Sequence, residues 1–359
     1  MASQWKKRLV KQERPAFAYE SGPVPLPYPQ GWFMLAPSAE VPPGSVVTRR
    51  FMGEDVVVYR TRSGRLRVVR PYCPHLGAHL GCGWVDGEEI VCPFHHFAFG
   101  PDGNNVRVGP GYDVPLIQRR VSTLHSEEMN GGIFAWSGQG GETPSWRLPQ
   151  LPGQASRAPL FKTFDLHTHP QEVCENIFDA GHTRAVHGYA DCFMRRPPVA
   201  DKHEYSAALR FSRPFPPFGV LESDLDISLH GLGFFEATFH VPKIGLKMVV
   251  MASPRPVEPW RVHLALGVSS VSLDPGFGWR RRLPEKLVAW FSRTITPMNM
   301  RMLMADAAPD HGIWDRKHYT SPPALVREEG PIGSYRKWCQ QFYAPDRGAV
   351  ADADAGSAT

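Results

Sequence analysis

The chain has 359 residues, enough for two domains or one large one. Its residues are 42% hydrophobic and 21% charged, the profile of an ordinary globular protein, and the formal net charge is +5. That charge is spread out: Lys6-Lys7-Arg8 and Arg280-Arg281-Arg282 are short runs of solvated surface, and nothing resembles a nucleic-acid stripe with interleaved aromatics.

No window reaches the uncharged apolar length needed to cross a bilayer; Leu287 to Met304 comes nearest, and Arg293 and Arg301 interrupt it. The first residues are charged and lack a signal-peptide core, so the expected compartment is the cytoplasm. Of six cysteines (Cys73, Cys82, Cys92, Cys174, Cys192 and Cys339), Cys82 has no partner just after Cys92, and no disulfide brace is expected there.

Residues 1–29 read as an irregular, proline-rich arm. Trp32 to Leu35, Val46 to Phe51, Val56 to Arg60 and Arg65 to Arg70 have strand composition, the last two forming a hairpin around Ser63-Gly64. Ile90 to Cys92, Phe97 to Phe99 and Gly132 to Trp136 are further short strands, with a turn at Pro101-Asp102-Gly103. Residues 30–150 are therefore expected to form a small all-β domain, closed by a Pro/Gly-rich linker at Pro149 to Pro159.

Within it stand two half-sites, Cys73-Pro74-His75 and Cys92-Pro93-Phe94-His95, separated by sixteen residues. Two thiolates and two imidazoles suit a Rieske-type [2Fe–2S] cluster, with cysteines on one iron and histidines on the other. Exchanging two anionic thiolates for neutral imidazoles raises the potential above that of an all-cysteine cluster. Structural zinc is the alternative, but the tight Cys-x-His half and the glycine-rich loop with Gly77, Gly81 and Gly83 favour the cluster. A basic run could then also dock an acidic electron-transfer partner.

Residues 160–344 change pattern. Glu172 to His187 is helical in period; Leu209 to Phe211, Asp226 to His230, Phe234 to His240, Leu246 to Ala252 and Val262 to Ser269 read as antiparallel strands. Pro284 to Met304 is helical, with Leu287, Val288, Trp290 and Phe291 buried and a kink or break at Pro297. The fold class is α+β, and residues 345–359 are expected to be a disordered tail.

The Glu172 to His187 helix carries Asn176, Asp179, His182 and His187. Two histidines and a distant carboxylate make the facial triad of non-haem Fe(II) oxygenases, which leaves positions open for oxygen. His182 and His187 are five apart, so a π-type turn or a helix end is predicted between them. Asp310 is the preferred third ligand and Asp306 the alternative; His311 is not expected to bind metal.

Taken together, these motifs resemble the terminal oxygenase components of Rieske non-haem iron oxygenases. Within that family the chain looks most like the 3-ketosteroid 9α-hydroxylases and the cholesterol 7-desaturases. The segments carrying this are Tyr28 to Phe33, Cys73 to Ala78, Ile313 to Lys317, Gly330-Pro331-Ile332, Tyr335 to Trp338 and Gln341-Phe342-Tyr343. In that branch the last iron-binding acid stands four residues before the tryptophan, which favours Asp310 ahead of Trp314.

The resemblance implies an N-terminal Rieske domain followed by a helix-grip catalytic domain whose sheet curls over an apolar cavity. Candidate lining residues are Phe215, Phe218, Leu229, Phe234, Phe235, Phe239, Met248 and Met251, with Phe234, Phe235 and Met248 put forward for substrate. It implies a head-to-tail homotrimer in which Asp179 bridges His95 of the next subunit and its own His182, with Asn176 near the iron but not on it. It also implies O2 as co-substrate and electrons from NAD(P)H through a separate ferredoxin or ferredoxin reductase. No dinucleotide fingerprint is present in this chain; the Gly138 to Gly141 run lacks a following helix. The expected activity is hydroxylation, oxidative demethylation or desaturation of a steroid, sterol or terpenoid. The alternatives are aromatic-ring cis-dihydroxylation and a Rieske electron carrier without oxygenase activity.

Overall fold

A computed structural model describes residues 13–20, 22–138, 142–151, 159–214, 219–269, 272–273, 284–326 and 329–343. The expected tail at 345–359, Phe215 and Phe218 lie outside the described residues, as do the side chains of Val288 and Phe291.

The N-terminal third is built from ten strands: β1 (Gly31–Pro37), β2 (Val46–Phe51), β3 (Glu54–Arg60), β4 (Leu66–Val69), β5 (Trp84–Asp86), β6 (Glu89–Val91), β7 (Ala98–Phe99), β8 (Asn105–Arg107), β9 (Ser126–Met129) and β10 (Gly132–Ser137). They form three antiparallel sheets: β1-β10-β9, β2-β3-β4 and β5-β6-β7-β8. Met52 and Gly53, both at positive φ, turn β2 into β3 in the way a tight hairpin requires. Strand β3 is buried on both faces: Val57 and Tyr59 pack toward Cys73 and Cys92, while Val56 and Val58 pack toward Phe33 and Ile133. The all-β class of this region and its hairpin at Ser63-Gly64 agree with the sequence reading. Strands β5 and β8 are only three residues long and β9 carries two glutamates, so these three do not stand out in the sequence.

The C-terminal part holds an eight-stranded antiparallel sheet. Its strands are β11 (Leu160–Leu166), β12 (Ala190–Asp201), β13 (Glu204–Pro214), β14 (Val220–His230), β15 (Phe234–Val241), β16 (Leu246–Glu258), β17 (Arg261–Val268) and β18 (Ser272–Leu273). The spatial order is β11-β17-β16-β15-β14-β13-β12, with β18 pairing β16. Pro197 and Pro198 lie in β12, an edge strand, where a missing N–H is tolerated. Pro254 and Pro256 lie in β16 beyond Ala252, where pairing with β15 has stopped. There the strand meets the N-terminal part instead: Met52 and Gly53 donate to the carbonyls of Pro256 and Val257, and Arg255 donates to the Leu35 carbonyl at 2.9 Å. Trp32, Met34 and Phe134 join Phe234, Met251 and Ala265 in one buried cluster across this seam.

Among the described residues, four α-helices cover the large sheet: α1 (Pro170–Glu175), α2 (Ala180–His187), α3 (Glu285–Trp314) and α4 (Ile332–Cys339). Three sequence expectations are corrected here. The stretch from Glu172 to His187 is not one helix: a 3₁₀ turn at Asn176–Phe178 separates α1 from α2. Helix α3, conversely, is not broken at Pro297 but runs through both Pro297 and Pro309 to Trp314. Each proline removes one ladder bond, and packing on the sheet outweighs that loss. Leu287 and Trp290, expected to be buried, are exposed on the first turns of α3.

Beneath the helices lies a buried ion network. Lys317 Nζ donates to Glu172 at 2.9 Å and to Glu175 at 3.3 Å, while Arg336 donates to both oxygens of Glu175 at 2.5 and 2.9 Å. It ties α1 to α4 and to the segment leaving α3. Burial raises the Glu172 carboxyl, although Lys317 and Arg336 hold it back.

Candidate iron sites

The two half-sites fold as matched loops. In the first, the Cys73 N–H donates to the Ala78 carbonyl at 2.9 Å and the Gly77 N–H donates to the Cys73 carbonyl at 2.9 Å. In the second, the Cys92 N–H donates to the Phe97 carbonyl at 2.9 Å and the His96 N–H donates to the Cys92 carbonyl at 3.1 Å. The fifth residue of each loop is left-handed: Gly77 at φ 77° and His96 at φ 57°. Glycine is at ease there; His96 holds the same turn at a steric cost.

Each loop places its cysteine inside and its histidine toward the rim. Cys73 and Cys92 are buried, and His75 and His95 are half-buried with ring centres 4.8 Å apart. The His75 ring stacks on Phe97 at 4.5 Å, which orients it. Burial, with Cys92 alongside, pushes the Cys73 thiol up to about 11. Cys73 and Cys92 are both buried, and bound iron would hold the two sulfurs as thiolates there.

The second site forms where α2 meets α3. Asp179 caps α2, its Oδ1 accepting the His182 backbone N–H at 2.9 Å, and left-handed Gly188 ends the helix directly after His187. No π-type turn lies between the histidines; residues 180–187 are α-helical throughout. The imidazoles are long enough to close the angle, and their Nε2 atoms stand 3.1 Å apart. Asp310, from α3, completes the group with Oδ1 3.1 Å from His182 Nε2 and Oδ2 3.4 Å from His187 Nε2.

The donor atoms of His182, His187 and Asp310 all lie within 4.8 Å of one another. Asp310 is 7% exposed, and its Oδ1 is buried without any donor hydrogen in line, close as His182 is. Burial works to raise this carboxyl, but the two histidines outweigh it and hold it below the usual carboxylate range. Three acceptor atoms converging on one buried point, one of them orphaned, fit a divalent cation. Asp306 is elsewhere: its Oδ2 accepts from the Tyr189 hydroxyl at 2.6 Å and from Arg213 at 3.3 Å.

A cavity of about 240 Å³ opens beside the triad. Its wall is mostly apolar, including Leu209, Phe235, Phe239 and Met248. Phe234, Leu229 and Met251 are not part of it. Side chains alternate along a strand, so Phe235, Ala237 and Phe239 face the cavity while Phe234 turns to the seam and meets Phe134 edge-on at 5.4 Å. Asn176 lines the cavity with its Nδ2 unpartnered, as does Asn299. Tyr189, Arg213, Asn299 and Trp314 are wall residues that sequence patterning did not bring forward for this pocket. Only Tyr189, two positions past His187, and Trp314, four past Asp310, carried a positional hint.

A cluster-type loop pair joined to a sheet whose covering helices present two histidines and a carboxylate over an apolar cavity is the architecture of an iron-dependent oxygenase. Residues 31–116 match the Rieske [2Fe-2S] domain, and residues 135–343 match the 3-ketosteroid 9α-hydroxylase C-terminal domain. The chain is 28% identical over 355 residues to a cholesterol 7-desaturase of Xenopus laevis, covering 90% of this chain and 73% of the relative. It is 25% identical over 338 residues to the oxygenase component of 3-ketosteroid-9-alpha-monooxygenase of Mycolicibacterium smegmatis, covering 90% and 85%. In fold it is similar to dicamba monooxygenase bound to 3,6-dichlorosalicylic acid, with TM-score 0.69, 16% identity and coverage of 87% and 96%. The chain belongs to the Rieske oxygenases with a 3-ketosteroid 9α-hydroxylase-type C-terminal domain. It is an oxidoreductase with iron–sulfur and iron cofactors.

Proposed function

We propose that the protein is the terminal oxygenase of a multicomponent system and oxidises a rigid, apolar polycyclic molecule such as a steroid, sterol or terpenoid. The reaction is hydroxylation, oxidative demethylation or desaturation. The observation that carries this reading is the convergence of His182, His187 and Asp310 at one end of an apolar cavity. The names of the desaturase and monooxygenase relatives support the substrate class.

Cys73, His75, Cys92 and His95 would hold the [2Fe–2S] cluster, and His182, His187 and Asp310 the Fe(II). When bound, these groups supply single electrons and the activation of O2. The chain's own part is positioning. Three protein ligands, His182, His187 and Asp310, would leave coordination positions open for O2 and substrate. Asp179 fixes the start of the helix bearing both histidines. The apolar wall excludes water and holds the reacting carbon near the metal.

Electrons come from NAD(P)H through a separate ferredoxin or ferredoxin reductase. The working form is a head-to-tail homotrimer, with Asp179 linking His95 of the partner subunit to the iron pocket. Exposed Leu76 and Phe94 beside the cluster histidines support a docked rim. Six free cysteines suit a reducing compartment, the cytoplasm. No helix among the described residues is long and apolar enough to cross a membrane.

Purified, iron-loaded protein with a surrogate reductase, ¹⁸O₂ and a panel of polycyclic substrates tests the reading. One labelled oxygen inserted, or a new double bond with coupled O2 uptake, is the expected product. A cis-diol, or cluster turnover with no product from any polycycle, contradicts it.

A further inference from the structure

The cavity wall is mostly apolar, and away from the triad its charged side chains, Arg213 and Asp306, meet at one corner. Arg213, from β13, is the only arginine or lysine among the described residues lining it. Its Nη1 donates to the Tyr189 hydroxyl at 2.8 Å and to Asp306 Oδ2 at 3.3 Å. The Tyr189 hydroxyl in turn donates to the same Asp306 oxygen at 2.6 Å. The guanidinium carbon lies 5.4 Å from the centres of both the Tyr189 and Phe239 rings, so two aromatic faces hold it in place. Both hydrogen bonds run through Nη1, which leaves Nε and Nη2 outside them.

The corner adjoins the iron pocket. Asp306 stands one helical turn before Asp310 on α3, and the Tyr189 ring lies 5.7 Å from the His187 ring. A nearly buried cation is retained in an apolar wall only where its charge is balanced, and Asp306 balances it. The corner is therefore close to neutral as a unit, yet rich in donors.

We propose that Arg213 is the polar anchor for the substrate and sets its orientation, a proposal that rests on the oxygenase reading above. An otherwise apolar polycycle places one neutral acceptor oxygen, of a ketone or a hydroxyl group, against the free edge of the guanidinium. A carboxylate is disfavoured, because Asp306 already neutralises the arginine and a second acid would stand uncompensated. The short path from this corner to the triad puts the oxidised carbon in the same ring system as the anchoring oxygen, not on a distant side chain.

The test uses the iron-loaded full chain and two probes, androst-4-ene-3,17-dione and the hydrocarbon 5α-androstane. Binding is followed by fluorescence, since Trp314 lines the cavity. Wild type is expected to bind the ketone about tenfold or more tightly than the hydrocarbon, the size of one hydrogen bond to a charged donor. Arg213→Met is expected to erase that preference with iron content and hydrocarbon affinity unchanged; Asp306, being half-exposed, can stay solvated. Should the methionine variant fail to fold, Arg213→Gln decides: a reduced preference supports the anchor, an undiminished one overturns it. Equal binding of both probes by wild type, or an unaltered preference in Arg213→Met, overturns the anchor alone. Wild type that binds neither probe overturns the substrate class and the anchor with it.

Discussion

Asp179 accepts the backbone N–H of His182 at 2.9 Å, so the acid at the head of α2 sets the first turn of the helix that delivers both histidines. That bond occupies Oδ1 and ties a charge to the iron pocket through the backbone rather than through the imidazole. Two roles, cap and charge, can be separated. Asp179→Asn keeps the cap, because asparagine caps as well as aspartate does, and removes the charge. It should retain both iron sites while O2-driven reoxidation of the reduced cluster slows about 10- to 100-fold, the usual size of such supporting contacts. Asp179→Ala should also lose about 1 kcal/mol of stability in denaturant titration. Wild-type turnover in the asparagine variant would contradict the charge role.

His169 caps α1 in a similar way, its Nδ1 accepting the Gln171 N–H at 3.2 Å. Burial holds its pKa down to about 4, against 6.5 for a free imidazole. The folded state therefore resists protonation. The stability it contributes is fully present above pH 6.5 and is lost as the pH falls toward 4, by roughly 3 kcal/mol in all. His169→Asn keeps a capping side chain and removes the titration. Melting temperatures between pH 7 and pH 4 should fall less steeply in the variant; parallel curves would show that His169 titrates normally.

Gly109 lies against the loop that carries His95. A Cβ at this position would overlap the carbonyl oxygen and carbon of His95. Backbone cannot yield as a side-chain tip can, so Gly109→Ala should displace the second half-site. The expected outcome is loss of the cluster's visible absorption with the mononuclear iron still bound. An unchanged spectrum would mean that the loop has room.

The legible features were local ones. Cys73, His75, Cys92 and His95 stand within two short loops, so spacing alone brings them together. Asp306 and Asp310 share a helix face, and both were open as ligands. What separates them is Tyr189 and Arg213, each about a hundred residues away, which engage the first and leave the second to the histidines. Phe234 and Phe235 are adjacent and chemically identical, and only the register of β15 against β14 and β16 decides which one faces the cavity. The helix break was expected after His182 because five residues misalign two short side chains. Imidazole reach removed that need, and the break falls at Asn176–Phe178 instead. Pro297 did not end α3, since tertiary packing overrode the propensity.

Iron analysis of Asp310→Ala beside Asp306→Ala, with electron paramagnetic resonance of the reduced cluster, tests the central claim most directly. Wild type should hold about three irons per chain, two in the cluster and one at the triad. Asp310→Ala should fall to about two with the cluster signal intact, and Asp306→Ala should keep about three. A wild type with only about two irons, or an Asp310→Ala protein that keeps the third, would contradict the account.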